Sequence, residues 1–360
     1  MVDTPRMAAL LEAAGPASIR TLGDPEQAQP VGPGGWQRLV DPVIGGHAEL
    51  VAVIRQRHHA DRKVCRQIRQ GHAPEALVDL AARGRLHLSP DRSCAVKELV
   101  HAWDHHRHAH GLAGVAIVTD TDNQTVDTLN ALCQARRLAA GELTGPGVAV
   151  ADLATGRRER LHVGDRVRFI RPYLARDLVP VYVANGTGAK VTGVDPDHGL
   201  LTVSCDDRRT VTLQPAQLEE SQPLRLGYAS HALKLQGGQA QVVLVLPGGW
   251  QTSRQSAYSM ATRCVEELHV YLDTATQQTG PYRDTDPVRA LGERWTRDAK
   301  KLAASLRLDH SQQGDRPTGR PTVEDDLVMA PSGPHEPATA PWAPELSHGR
   351  DLGDGLGIDL

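Results

Sequence analysis

The residues best equipped for chemistry gather between Gly227 and Leu272. In close succession come a glycine-broken polar loop with Tyr228, His231, Lys234, Gln236 and Gly237, a wholly apolar run from Gln241 to Leu246, a capped helix that ends in Arg263, and a closing strand. Loop, strand and helix in this arrangement make up the build of a nucleotide-responsive α/β core. Taken alone, Arg263 reads as a helix-end cation that complements the dipole. Upstream, Arg55, Arg57, Arg62, Lys63, Arg66 and Arg69 crowd the helical pattern of residues 49–69, and on charge pattern alone they form a solvated face.

A second set of reactive side chains is the histidine run His101, His105, His106, His108 and His110. His101 with His105, and His106 with His110, have the i, i+4 spacing that brings two imidazoles onto one metal ion. No neighbouring Cys or Glu completes a ligand set, and an exposed polar helix accounts for the run, so no metal site is expected here. The five cysteines, Cys65, Cys94, Cys133, Cys205 and Cys264, are odd in number and without C-x-x-C spacing, which suits small core residues in a reducing cytoplasm.

The elements that must position these groups follow from periodicity. Residues 5–14 read as a short amphipathic helix stopped by Gly15, and Ser18 to Leu22 as a short strand running into the polar loop Gly23-Asp24-Pro25-Glu26-Gln27. Residues 73–83 and 91–110 read as helices, with a short strand around Leu86 between them. Val115 to Val118 is an apolar strand followed by a polar loop and a helix carrying Val126, Leu129, Leu132 and Cys133, the βα half of a parallel-sheet unit. From Gly145 to Gln222 the pattern changes to short β-rich runs at 166–170, 189–194, 200–204 and 210–213, separated by turn chemistry such as Asn185-Gly186, the spacing of a small β-barrel. The run Gln241 to Leu246, apolar on both faces, reads as a central parallel strand covered by helices. Thr252 with Gln255 forms a capping box for the helix that leads to Arg263. One more amphipathic helix is expected over 287–308. Residues 311–360, rich in Pro, Gly, Ser and acid, read as disordered.

Composition narrows the partners. A formal charge of −3 over 360 residues argues against holding nucleic acid by bulk positive charge, so any DNA contact is local. Aromatic content of 3% with one Phe argues against an extended base-stacking platform. Neither a leader pattern nor a membrane-length apolar stretch is present, which points to a cytoplasmic protein without membrane partners.

Six blocks follow one another in an order that resembles RecD-type superfamily 1 DNA helicases, and most of all the helicase half of MobF-type (TraA/TrwC-like) conjugative relaxases. They are Gly23 to Gln27, Ile54-Arg55-Gln56, Gly164-Asp165-Arg166-Val167, Asn185-Gly186, Tyr228-Ala229 with Lys234 and Gln236-Gly237, and Tyr258 with Ala261-Thr262-Arg263. The resemblance implies an α/β fold with a RecA-like parallel-sheet domain. A remnant of a first RecA-like domain is expected over 1–45, a helical connecting region over 46–110, the second RecA-like domain from 111–144 and 223–275, an inserted SH3-like barrel over 145–222, a helix within 276–310 and the tail over 311–360. It also implies site roles: Arg263 and Arg55 as arginines on the γ-phosphate, Gln27 and Asp24 at the nucleotide, and Tyr228, His231, Lys234, Gln236, Gly237 and Asn185 at single-stranded DNA. The implied activity is 5′–3′ ATP-dependent DNA unwinding, with ATP and Mg2+ as the family's cofactors.

The sequence also departs from that family. His231 and Leu233 stand where relatives usually carry Thr and His, and Val265 where they carry a second arginine. No G-x-x-x-x-G-K-[ST] loop and no Asp-Glu-Ala after an apolar strand occurs in the 360 residues. The expectation is therefore a truncated helicase segment, inactive alone and binding ATP and Mg2+ weakly at best. The alternatives are a module that retains binding to single-stranded DNA or to a partner, such as a relaxase or the missing first helicase domain, and an enzyme completed in trans.

Overall fold

The computed structural model describes residues 2–27, 34–36, 53–152, 157–175, 181–214, 218, 223–232, 238–249, 252–283 and 285–299. The first helix, α1 (Thr4–Ala14), begins where the Asp3 carboxylate accepts from the Arg6 amide. In α2 (His59–Gln70) and α3 (Ala73–Ala82), Val64, Cys65, Ile68, Ala76, Leu77 and Leu80 recur at helical spacing and all are buried. Gly71 ends α2 in the left-handed region at φ 86°, the conformation a helix stop favours. β1 (Leu86–Ser89) leads into α4 (Arg92–His110), capped by Asp91, and β2 (Val115–Thr119) into α5 (Asn123–Ala139), capped by Asp122.

An antiparallel block follows. It comprises β3 (Thr144–Asp152), β4 (Arg157–Val163), β5 (Arg166–Phe169), β6 (Tyr173–Ala175), β7 (Val181–Val183), β8 (Gly188–Asp195), β9 (Leu200–Cys205), β10 (Thr210–Leu213) and β11 (Leu224–Leu226). Five of these form one sheet in the order β10-β9-β8-β5-β11, while β3 pairs with β4 and β6 with β7. Period-two alternation buries Val167, Phe169, Leu201, Val203, Val211 and Leu213 and leaves their neighbours wetter.

The chain then returns to the α/β pattern with β12 (Ala229–His231), β13 (Ala240–Leu246), α6 (Arg254–Ala261), β14 (Cys264–Asp273), the single turn α7 (Thr274–Gln277) and α8 (Pro287–Thr296). The five strands of the second large sheet lie in the order β1-β14-β13-β2-β12, and every neighbouring pair is parallel. Such a sheet is covered on both faces. β13 shows the consequence, since Val242, Leu244 and Leu246 join a core with Leu99 and Trp103 of α4 and Leu129 of α5, while Val243 and Val245 join a core with Ile68, Leu77, Met260 and Trp295 on the other side. Among the described residues no helix is long and apolar enough to cross a membrane.

Several expectations are corrected. Ser18 to Leu22 is not a strand; Ile19 and Leu22 stay exposed, so no covered face holds the segment in a sheet. The basic helix starts at His59, because residues just before it bond elsewhere: the Arg57 amide donates to the Val265 carbonyl at 2.8 Å. The capping box sits one residue later than expected, on Ser253 and Ser256. The last helix stops at Thr296, and the rest of the stretch expected to be helical lies almost entirely outside the described residues, as does 311–360. β1 joins the parallel sheet through β14, so the stretch before residue 111 contributes an edge strand and, in α4, a covering helix.

Candidate functional site

The loop at residues 24–27 is built by its own aspartate. The Asp24 carboxylate accepts from the Glu26 amide at 3.0 Å and from the Gln27 side-chain amide at 3.3 Å, and the Gln27 amide closes the turn on the Asp24 carbonyl at 3.2 Å. Two arginines from neighbouring helices hold the loop in place. Arg69 of α2 stands 3.9 Å from Asp24, and Arg254 at the start of α6 bonds Glu26 at 2.9 Å. The loop is thus fixed against both ends of α6, whose last turn carries Tyr258, and Asp24 lies within reach of that phenol.

Arg263 meets this loop. α6 ends at Ala261, Thr262 closes it, and the Arg263 side chain folds back so that its Nε donates to the Ser259 carbonyl at 3.1 Å. Its Nη2 donates to Gln27 Oε1 at 3.2 Å, and its Nη1 to the Gly238 carbonyl at 3.5 Å. Arg55 approaches from the other side, with Nη1 donating to the Thr262 carbonyl, and Gln56 donates to the Cys264 carbonyl at 2.9 Å. The segment at 55–57 therefore reads the backbone on either side of Arg263. Arg263 is only 3% exposed, and burial, reinforced by the neighbouring Arg55 charge, pulls its guanidinium down to about 10. Guanidinium groups hold anions by charge-assisted hydrogen bonds.

Four of the sequence-derived nucleotide-side residues, Arg263, Arg55, Gln27 and Asp24, are thus one cluster. The DNA-side residues are not. Tyr228 is 4% exposed, and its phenol donates to Asp165 Oδ1 at 2.6 Å while accepting from Arg137 Nη1 at 3.0 Å. His231 ends β12 and its Nε2 lies 3.1 Å from Asn123 Oδ1, on a cleft also lined by Asn130, Arg168 and Arg225. Asn185 is exposed in the turn between β7 and β8. Lys234, Gln236 and Gly237 lie outside the described residues.

Sequence reading missed what supports these groups. Asp165 is fully buried and takes, besides Tyr228, the Gln134 side chain and the His162 amide, each at 2.7 Å. Arg137 bonds the Gly164 carbonyl at 2.7 Å and Glu142 at 3.0 Å, and Arg107 pairs with the same glutamate at 2.7 Å. The only signal in the sequence was the Gly164-Asp165 pair itself. Arg69 and Arg254, which hold the 24–27 loop, carried no signal beyond their charge.

The donor set of the Arg263 cluster fits the anionic part of a nucleotide. It does not fit a magnesium ion, because the acids of the loop, Asp24 and Glu26, are each engaged by an arginine.

With this geometry in hand, comparison with known proteins is informative. A model of the AAA domain family matches residues 1–91. The conjugal transfer protein TraA of Agrobacterium fabrum is 28% identical over 275 residues, which are 75% of this chain and 24% of that protein. The probable conjugal transfer protein TraA of Sinorhizobium fredii is 26% identical over 273 residues, 75% of this chain and 23% of its own. Among solved structures, a Bacteroides Pif1 helicase in complex with ADP-AlF3 and single-stranded DNA is 14% identical, covering 81% of this chain and 66% of the other with a TM-score of 0.45. The chain spans about a quarter of the length of the curated relatives it matches. It is thus similar, over three quarters of its own length, to a segment of the TraA conjugal transfer proteins.

Proposed function

We propose that this chain supplies the arginine side of an ATP-hydrolysing DNA helicase site. The observation that carries the reading is the contact of Arg263 Nη2 with Gln27 Oε1 at 3.2 Å across 236 positions of sequence, with Arg55 alongside. In this reading the parallel sheet is a RecA-like domain, and the antiparallel block between α5 and β12 is an SH3-like barrel inserted into it. Arg263 and Arg55 neutralise charge that develops on the γ-phosphoryl oxygens, and Gln27, anchored by Asp24, reports the state of that phosphate to Arg263. Phosphoryl transfer asks the protein chiefly for positioning and charge stabilisation, which two preorganised guanidiniums provide.

The phosphate loop and the magnesium carboxylates are not among these 360 residues, so hydrolysis requires them from polypeptide outside this sequence. The test is therefore a chimera in which the parts of the Agrobacterium fabrum TraA protein outside the matched segment are joined to this chain. DNA-stimulated ATP hydrolysis is expected, and Arg263→Ala is expected to lower kcat by roughly 10³- to 10⁵-fold. An Arg263→Ala chimera as active as its parent would sink the reading.

A second reading is a module that binds single-stranded DNA. It draws on the cleft between α5 and the antiparallel block, where Arg168 and Arg225 meet His231, Asn123 and Asn130. Backbone-directed contacts from such groups hold sugar and phosphate without reading bases. On this reading Asn185, Lys234, Gln236 and Gly237 extend the track, and Tyr228 sets the position of β12 from within. Oligonucleotide affinity that falls as salt rises and weakens in Arg225→Ala is the expected result, and no binding at low salt would remove it.

A further inference from the structure

The histidine run of α4 meets β14 in a way that its own spacing does not suggest. His106, one residue before the last turn of α4, faces Glu267 and His269 of β14, and one ligand atom from each of the three lies within 4.8 Å of the others. His269 Nε2 and Glu267 Oε2 are 3.2 Å apart. That matches the edge of about 3.3 Å in a tetrahedron of 2.0–2.1 Å metal bonds. The remaining His269 nitrogen, Nδ1, is 3.1 Å from His87 Nε2 on β1, and the His87 ring stacks on Tyr271 at 4.4 Å. A second imidazole behind a ligand imidazole is the arrangement that fixes a ligand's tautomer and orientation.

We propose that His106, Glu267 and His269 bind a divalent first-row transition metal, zinc in the first instance, with His87 as the outer partner of His269. The donor set favours that class of ligand. Two imidazoles and one carboxylate are a borderline N/O donor set suited to zinc, and the fourth position is left for water. Arg85 approaches the other carboxylate oxygen of Glu267 at 3.6 Å and leaves Oε2 to the metal.

Metal binding requires a proton rearrangement with no net gain or loss. Without metal, His269 Nε2–H donates to Glu267, and Nδ1 accepts from His87 Nε2–H. With metal on His269 Nε2, the His269 proton sits on Nδ1 and is donated to His87 Nε2, and the His87 proton sits on its own Nδ1. The metal then ties α4 to the strand that begins one residue after Arg263.

The experiment is titration of tag-free, chelator-washed protein with zinc chloride, followed by calorimetry, thermal unfolding and imidazole ¹⁵N spectra. One equivalent should bind saturably, raise Tm, and swap the tautomers of His269 and His87. His106→Ala and Glu267→Gln should each weaken binding more than about 100-fold, and His87→Phe by about 10- to 100-fold. Unliganded melts of these variants that match the parent would show that they fold. The double variant His101→Ala/His105→Ala, which removes a helical i, i+4 pair that supplies no ligand although the His105 ring packs edge-on against His106, should bind as the parent does. The proposal is overturned if no saturable equivalent binds, if binding survives His106→Ala and Glu267→Gln, if the tautomers do not change, or if the His101/His105 variant abolishes binding.

Discussion

Two buried arginines, Arg137 and Arg263, meet a tyrosine or glutamine, a backbone carbonyl and a neighbouring charge, yet the two regions are balanced differently. Around Arg137 the neighbouring charges are carboxylates: Glu142 at 3.0 Å, and Asp165, which Tyr228 bridges with a bond of 2.6 Å to the acid and 3.0 Å to the arginine. Around Arg263 burial pulls the guanidinium down to about 10, and the charge of another guanidinium, Arg55, adds to the effect. A buried charge is stable when its surroundings neutralise it and costly otherwise. The first region therefore holds structure together, joining α4, α5, the β4–β5 turn and β12. The second places a guanidinium, whose charge burial and Arg55 both disfavour, against the 24–27 loop.

The contrast can be broken by four measurements of stability. Arg137→Met leaves Glu142 with Arg107 alone and takes the donor from the Gly164 carbonyl and the Tyr228 hydroxyl, and is expected to cost about 3–5 kcal/mol in urea unfolding; a loss no larger than that of a surface variant would contradict the structural role. Tyr228→Phe removes one hydroxyl donor from buried Asp165 and should cost about 1.5–3 kcal/mol by the same assay. Arg263→Met takes the donors from Gln27 and from the Ser259 and Gly238 carbonyls and should cost about 1–3 kcal/mol, less than Arg137→Met. A loss as large as that of Arg137→Met would make Arg263 a structural arginine. The smallest effect concerns acid. The bond from Arg107, together with Arg137, holds the Glu142 carboxyl below its usual range despite partial burial. Its folded state thus binds fewer protons than the unfolded chain, and the associated stability is present above about pH 4.5 and lost as pH falls through the lowered value. Glu142→Gln should flatten that acid limb, and an unchanged limb would place the coupling elsewhere.

How much of this was legible depends on whether a signal was local. Gln241 to Leu246 announced a doubly covered parallel strand because burial on both faces leaves no polar position, and β13 sits at the centre of the sheet. The order of motifs announced that Gln27, Arg55 and Arg263 belong together, and they meet. By contrast β1 pairs with β14 across a separation that no short-range pattern reports. Ser18 to Leu22 had strand-like composition but no covering partner, and composition alone does not supply one. Tyr228 was expected at DNA because of the motif around it, whereas its phenol is turned into the Asp165 network, a placement set by residues 63 and 91 positions away. The histidines of α4 were read at helical spacing, yet His106 finds its closest ligand-bearing neighbours on β14 rather than on its own helix.

The most direct test of the Arg263 account is a double-mutant cycle on kcat for DNA-stimulated ATP hydrolysis in the TraA chimera, using Gln27→Ala, Arg263→Ala and both together. If the two side chains act as one unit on the same phosphate, the double variant will be no slower than Arg263→Ala alone. Losses that multiply would show that Gln27 and Arg263 act independently, and would contradict the account.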